Sequence, residues 1–336
     1  MKWLVTGGAG FIGSAFVRLA LQEGWADRIV TLDKLAYAGN LENLAPVERD
    51  PRHRFVHGDI QDTRLVRSLL DEERPDAIVH FAAESHVDRS ILGPEAFIET
   101  NVRGTFSLLE AARAAGAGRF LHVSTDEVYG SIAEPDEADE TWPLRPSSPY
   151  SASKAASDLL ALSWWTTFRL PVIVTRASNN YGPYQFPEKL IPLMISNAIE
   201  GKPLPIYGDG MQVRDWLYVD DHCRAIRAAL EKGAPGEIYN IGGSRALPNR
   251  SVVEMILDAL GKPRTLMTSV ADRPGHDRRY AITAGKLEKA SGWRPLVPFE
   301  EGLSRTIRWY RDNAGWVARV KSGEYQRYYE LNYANR

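Results

Sequence analysis

Residues 5–14 read VTGGAGFIGS, behind the apolar start of a strand (Trp3, Leu4) and ahead of the helical pattern AFVRLALQEG. Gly7, Gly10 and Gly13 give the spacing G-x-x-G-x-x-G, and Gly8, Gly10 and Gly13 also satisfy G-x-G-x-x-G. Glycines at these intervals permit a tight turn and let backbone approach a pyrophosphate, which then rests on a helix N-terminus. Three glycines alone prove little, because turns use glycine for many reasons. The strand before and the helix after are what turn the spacing into a prediction of a dinucleotide-binding βα unit.

Outward from this loop, short β-rich runs alternate with helical patterns. Strands are expected at 2–7, 28–33, 54–59, 76–83, 119–125 and 171–177, with a long helix near 150–168. Continuous apolar strands alternating with amphipathic helices predict a parallel sheet covered on both faces. Right-handed crossovers make this an α/β, doubly wound, Rossmann-type fold. After residue 181 the character changes to loops rich in Pro, Gly and aromatic residues among shorter helices, such as YGPYQFPEKLIP and GKPLPIYGDG. The expected organisation is a dinucleotide-binding domain over 1–181, with one return near 215–243, and a smaller, mostly C-terminal α/β substrate lobe over 182–336.

Asp33 ends the second strand, 20 positions beyond Gly13 (33 − 13). A carboxylate there accepts from the adenosine ribose and repels a 2′-phosphate, so NAD rather than NADP is the expected cofactor. Asp59, closing the third strand in HGDI, either bonds the adenine edge or serves its turn. In FAAESHV the small residues Ala82 and Ala83 end the fourth strand and let backbone run beside the cofactor.

The reactive residues come next. SPYSASKAA places Tyr150 and Lys154 four apart, on one helix face. A phenol is a poor base near neutral pH, but a neighbouring ammonium and a nicotinamide cation both favour the phenolate. Tyr150 can then take a proton from a substrate hydroxyl, with Thr125 at the end of the fifth strand to hold it. The strand runs on into STDEVYG (124–130), where Asp126 and Glu127 stand side by side. Adjacent acids belong most often to a solvated turn or a helix cap. At the carboxyl edge of a parallel sheet, beside Thr125 and ahead of Tyr150, a chemical role is the better reading. Opposed roles need different protonation states, so the site should separate the two carboxyl pKa values by environment.

The glycine loop, Tyr150 and Lys154 resemble the extended short-chain dehydrogenase/reductases. Within that family TDEVYG, SNNYGPYQFPEKLIP, RDWLYVDDHC and DRPGHDRRY resemble the sugar-nucleotide dehydratases. The resemblance implies C4 oxidation of dTDP-glucose, loss of water across C5 and C6, and return of hydride to C6, with Glu127 as base and Asp126 as acid. It implies Phe11, Ile12, Ile60, Thr100 and Asn180 as further cofactor contacts. For the sugar nucleotide it implies Ser85, Asn179, Lys189, Leu190, Pro205, Ile206, Tyr207, Asn249, Asp272, Arg273, Pro274, Gly275 and His276. Arg214, in QVRDW, suits a phosphate because guanidinium binds oxyanions bidentately; a surface ion pair is its alternative. Deoxysugar biosynthesis, as of rhamnose, and a homodimer through helices near 100–115 and 150–168 are also what the resemblance implies. A 4-epimerase or decarboxylase on this scaffold would leave the two acids without work, and a non-catalytic NAD sensor would not need Tyr150, Lys154 and Thr125 together.

Composition sets the outer limits. A net charge of -2 with no long run of like charge argues against nucleic acid or an anionic membrane as partner. The one cysteine, Cys223, excludes an internal disulfide and reads as a packing residue. No apolar stretch approaches the length of a membrane helix, and Met1 leads straight into a strand with no room for a signal peptide, so a cytoplasmic protein is expected. HVD (86–88) and GHD (275–277) are too short and isolated to make a metal site.

Overall fold

The computed structural model describes residues 1–243 and 245–322; the last part of the expected substrate lobe, 323–336, lies outside them. Seven parallel strands form the main sheet: β1 (Lys2–Thr6), β2 (Arg28–Asp33), β3 (His53–His57), β4 (Ala77–His80), β5 (Phe120–Thr125), β6 (Val172–Ala177) and β10 (Ile238–Ile241). Their order is β10-β6-β5-β4-β1-β2-β3. The chain leaves β1 in one direction for β2 and β3 and crosses back to β4 on the other side. This reversal opens a crevice at the carboxyl ends of β1 and β4, where ligands of such sheets bind.

Strand composition explains the sheet. β1, β4 and β6 carry runs of Val, Ile, Leu and Thr that are buried on both faces, as a parallel sheet between helix layers requires. One layer packs Phe16, Val17, Leu21, Cys223 and Ile226 against the sheet; the other packs Leu69, Leu108, Leu109 and Trp164. Cys223 is thus a core residue.

The remaining strands are short. β7 (Asn179–Tyr181), β9 (Val213–Tyr218) and β11 (Arg245–Pro248) make a three-stranded sheet, and β8 (Leu204–Tyr207) pairs with β12 (Met267–Val270). They cover a separate core that includes Tyr181, Ile206, Trp216, Ile256 and Phe299. The chain changes sheets at Ser178, between β6 and β7. β9 stays with the small sheet but sends Leu217 into the core of the large one, where the Val219–Lys232 helix follows it. A second return, which the sequence reading did not anticipate, brings Leu287 and Trp293 into the core of the large sheet.

The Pro149–Phe168 helix has an unambiguous start. Ser148 accepts from Ser151 N, Ser151 Oγ reaches back to Ser148 N, and Pro149 occupies the first turn. That reciprocal cap, with a proline where no amide partner is lost, fixes the helix one residue ahead of Tyr150.

Candidate active site

A large cavity lies along the carboxyl edge of the main sheet. All the residues expected to hold the cofactor line it: Gly7, Gly10, Phe11, Ile12, Gly13, Asp33, Asp59, Ile60, Ala82, Ala83, Thr100, Tyr150, Lys154 and Asn180. So do Thr125, Asp126, Glu127, Ser85, Asn179 and Lys189. At its glycine end a Cβ on Gly7 would sit 2.5 Å from Ala82 N, and one on Gly13 would sit 2.3 Å from Gly7 O. Gly7 also has φ +70, a conformation side chains disfavour. A Cβ on Gly10, by contrast, would meet nothing nearer than Gly7 O at 3.3 Å, so that glycine leaves backbone bare toward the cavity. The loop therefore fits a pyrophosphate.

Asp33 accepts from Ala9 N at 2.9 Å and Leu35 N at 2.8 Å, which fixes its carboxylate at the rim. Lys34, not singled out from sequence, ties two expected cofactor residues together: its Nζ lies 3.6 Å from Asp59 Oδ2 and donates to Thr100 Oγ1 at 3.2 Å. Lys34, Ala36, Tyr37 and Gly39 line the cavity through the loop after β2, where no periodicity signals them. His222 is another unanticipated lining residue. Its Nδ1 lies 2.9 Å from Asn180 Oδ1, and burial keeps the ring neutral by lowering its pKa to about 3.

At the reactive end, Thr125 ends β5 and caps a 3₁₀ turn over Asp126–Tyr129 by accepting from Glu127 N at 3.3 Å. The turn starts with both acids, and their surroundings differ. Asp126 is 2% exposed, and its Oδ2 has no hydrogen-bond partner among the described residues. Burial first, then the charges of Glu127 and Asp215, push its pKa well above the usual range. Glu127 is half-buried; burial raises it too, but Lys189, Arg273 and Arg214 all act to keep it ionised. Burial also pushes the Tyr150 phenol well above its ordinary value; Glu127 adds to this, and a hydrogen bond with Thr125 opposes it. Lys154, one helical turn on, is buried, and its Nζ donates to Val123 O at 2.8 Å.

The other expected substrate residues do not line this cavity. Arg214 is buried, with its guanidinium 4.2 Å from the Tyr280 ring, donating to Val213 O and Asp277 O at 2.8 and 2.9 Å. It is therefore no surface ion pair. Arg273 pairs with Asp88 at 2.9 Å, and Tyr207 donates to the other oxygen of Asp88 at 2.7 Å. Asp272 meets His276 Nδ1 at 2.6 Å and accepts from Gln212 at 3.0 Å. Asp88 and Gln212 thus organise this group, roles that the sequence did not assign to either. Gly275 lies against Ser147, whose hydroxyl donates to Gly275 O at 3.3 Å, with Pro274 exposed beside it. Asn249 opens the Asn249–Leu260 helix. Leu190, Pro205 and Ile206 pack inward: Ile206 is in the small core, Leu190 rests against it, and Pro205 is buried on β8. No group of His, Cys, Asp or Glu that could hold a metal ion occurs among the described residues, nor any helix long and apolar enough to cross a membrane.

A doubly wound sheet with a glycine cradle and a Tyr-x-x-x-Lys helix at one cavity defines an extended short-chain dehydrogenase/reductase. The profile of the GDP-mannose 4,6 dehydratase family matches residues 4–306, and the chain belongs to that family. It is 54% identical to dTDP-glucose 4,6-dehydratase of Salmonella typhimurium, over the whole of both chains. It is 56% identical to dTDP-glucose 4,6-dehydratase of Xanthomonas campestris, over 96% of this chain and 97% of that one. The crystal structure of DesIV, the dTDP-glucose 4,6-dehydratase of Streptomyces venezuelae, solved with NAD bound, superposes with a TM-score of 0.94. The two share 56% identity, with 96% of this chain and 100% of that one covered. A UDP-glucose 4-epimerase of Thermus thermophilus in complex with NAD is more distant, at 35% identity and a TM-score of 0.86 over 93% and 100% of the two chains.

Proposed function

We propose that this protein is a hydro-lyase that dehydrates dTDP-glucose to dTDP-4-keto-6-deoxyglucose with NAD. The observation that carries the reading is the unlike environment of Asp126 and Glu127 on the same cavity as Tyr150 and the glycine cradle. NAD, when bound along that cradle, supplies a hydride acceptor for C4, a hydride donor for C6 and a positive ring beside the phenol. Tyr150 takes the proton of the C4 hydroxyl, and Thr125 holds the oxygen through its hydrogen bond. Lys154 lends the fixed positive charge near the phenolate. The C4 ketone acidifies the C5 proton, and Glu127, whose charged form Lys189, Arg273 and Arg214 favour against its burial, removes it. Asp126, kept protonated by burial, gives its proton to the departing C6 oxygen. Separate protonation states are what an oxidase or epimerase would not need and an elimination does.

Lys189, Arg214 and Arg273 form the cationic side toward which the diphosphate is drawn, with Asn179 on the sugar and Asn180, oriented by His222, on the cofactor. The smaller lobe carries the nucleotide, through Tyr207, Asn249, Asp272 and His276. A cytoplasmic homodimer is part of the proposal: Phe106, Leu159 and Phe168 are 45%, 58% and 47% exposed on the helices expected to pair, and light scattering at twice the monomer mass checks it. Product identification by NMR with dTDP-glucose, beside CDP-glucose and GDP-mannose, tests the reaction. A 4-keto-6-deoxy product from dTDP-glucose is expected; an epimer, or preference for another nucleotide, overturns the reading.

A further inference from the structure

Behind Lys154, away from the cavity, the fold buries a chain of charged and polar groups that the reaction above does not use. Lys154 Nζ lies 3.5 Å from His122 Nε2, and His122 Nε2 lies 3.4 Å from Asp158 Oδ1. Asp158 Oδ2 accepts from Arg176 Nε at 2.8 Å, and Arg176 Nη1 donates to the Tyr129 hydroxyl at 3.0 Å. Tyr129 donates to Asn240 Oδ1 at 2.7 Å, and Asn240 Nδ2 donates to Ala138 O at 3.1 Å. His122, Asp158, Arg176, Tyr129 and Asn240 are each no more than 2% exposed. Strand register explains the assembly. Arg176 of β6 pairs with Ser124 of β5 on one side and Asn240 of β10 on the other, and His122 lies two residues before Ser124 on the same face.

Burying a carboxylate and a guanidinium costs several kcal/mol per ion before their attraction is counted, and apolar side chains could fill the same space. The pair therefore calls for a use. The groups that face Lys154 supply one. His80 from β4 and His122 from β5 are both held neutral, chiefly by burial, His122 with a pKa of about 4. Burial brings the Lys154 ammonium down to about 8, and Asp158 is the charge that acts against this. Burial also opposes ionisation of Asp158, but the nearby His122 ring and the charges of Arg176 and Lys154 outweigh it. Tyr150, on the same helix, is neutral until it gives up its proton, so Asp158 is the anion and Arg176 the second cation of the cluster.

We propose that Asp158 is a positioning residue for Lys154: anchored by Arg176, it holds the buried ammonium charged from behind and so sets the alkaline limit of the reaction. The inference rests on the roles given above to Tyr150 and Lys154. The ion pair does not touch substrate or cofactor. Its effect passes through the charge of Lys154 alone, which separates it from simple support of the helix.

The test is the pH profile of kcat with dTDP-glucose for the holoenzyme and two variants. Asp158→Asn should move the alkaline limb down by about one pH unit, an approximately tenfold loss of kcat at the alkaline end. The plateau at lower pH and the KM should stay within about twofold. Because Asp158→Asn leaves Arg176 buried and unpaired, Asp158→Asn/Arg176→Met provides the neutral counterpart, with the same shift expected. A limb that stays in place in either folded variant, or a loss of equal size at every pH, overturns the proposal. Histidine-labelled wild-type holoenzyme gives a measurement that needs no variant. His122 should be neutral throughout and its ring-nitrogen resonances should move as Lys154 deprotonates; a charged His122 at neutral pH overturns it too. Failure of the wild type to dehydrate dTDP-glucose would strike the proposed function, while the NMR titration would still report on the buried chain.

Discussion

Asp126→Asn offers the sharpest test of how this site works, because stability and activity should move in opposite directions. Asp126 is 2% exposed and its outer oxygen has no partner among the described residues. Burial, with Glu127 and Asp215 adding, raises its pKa well above the ordinary 3.8. The folded state therefore keeps a proton that the unfolded state releases once the pH exceeds that ordinary value. More protons bound to the folded form means that stability falls as pH rises, from near the unfolded pKa up to the folded one. Within that window one such group contributes at most about 1.4 kcal/mol per pH unit. Asparagine has nearly the same shape and no proton to lose, so the variant escapes this slope. Urea unfolding over a pH series should show Asp126→Asn gaining on the wild type as the pH rises above the ordinary carboxyl range. Dehydration should meanwhile fall by about 10²- to 10⁴-fold for loss of the proton donor. Substrate carrying deuterium at C4 should still lose it to NAD, visible as NADH absorbance, without its reappearing at C6. Parallel stability curves for the two proteins, or full dehydration by the variant, would refute the buried neutral acid.

Two further substitutions probe the scaffold. Gly13→Ala would place a methyl 2.3 Å from the Gly7 carbonyl and 2.9 Å from Gly8 Cα. Both are backbone atoms, so the loop must open, costing about 1–3 kcal/mol; purified protein should carry much less NAD, read from its absorbance after denaturation. Ser148→Ala removes the cap that accepts from Ser151 N at 3.1 Å; a loss of about 1 kcal/mol in urea unfolding is expected, with KM for the sugar nucleotide little changed.

The elements, and most of the residues that line the glycine end of the cavity, are legible in local pattern. Strands and helices have different apolar periods, so β2 at 28–33, β5 ending at Thr125 and the long helix from Pro149 were legible from local pattern. The spacing of Gly7, Gly10 and Gly13 encodes a backbone geometry directly, and a four-residue interval puts Tyr150 and Lys154 on one helix face by the pitch alone. Other features depend on which strands become neighbours, and local pattern does not carry that. β10 joins β6 across more than sixty residues of chain (from Ala177 to Ile238) and sets Asn240 beside Arg176, completing the chain that runs from Lys154. Asp88 and Arg273, 185 positions apart, meet only in the folded chain. The second return at Leu287 and Trp293 likewise depends on packing.

The protonation states of the two acids belong to the tertiary structure as well. Asp126 and Glu127 are adjacent in sequence and start from similar intrinsic pKa values. Around Asp126, burial and the charges of Glu127 and Asp215 outweigh Arg214 and the Thr125 hydrogen bond, whereas Lys189, Arg273 and Arg214 all act on Glu127. Desolvation and Coulomb attraction depend on three-dimensional surroundings, so the sequence could place two acids at the edge of the sheet but only the fold could make them unlike.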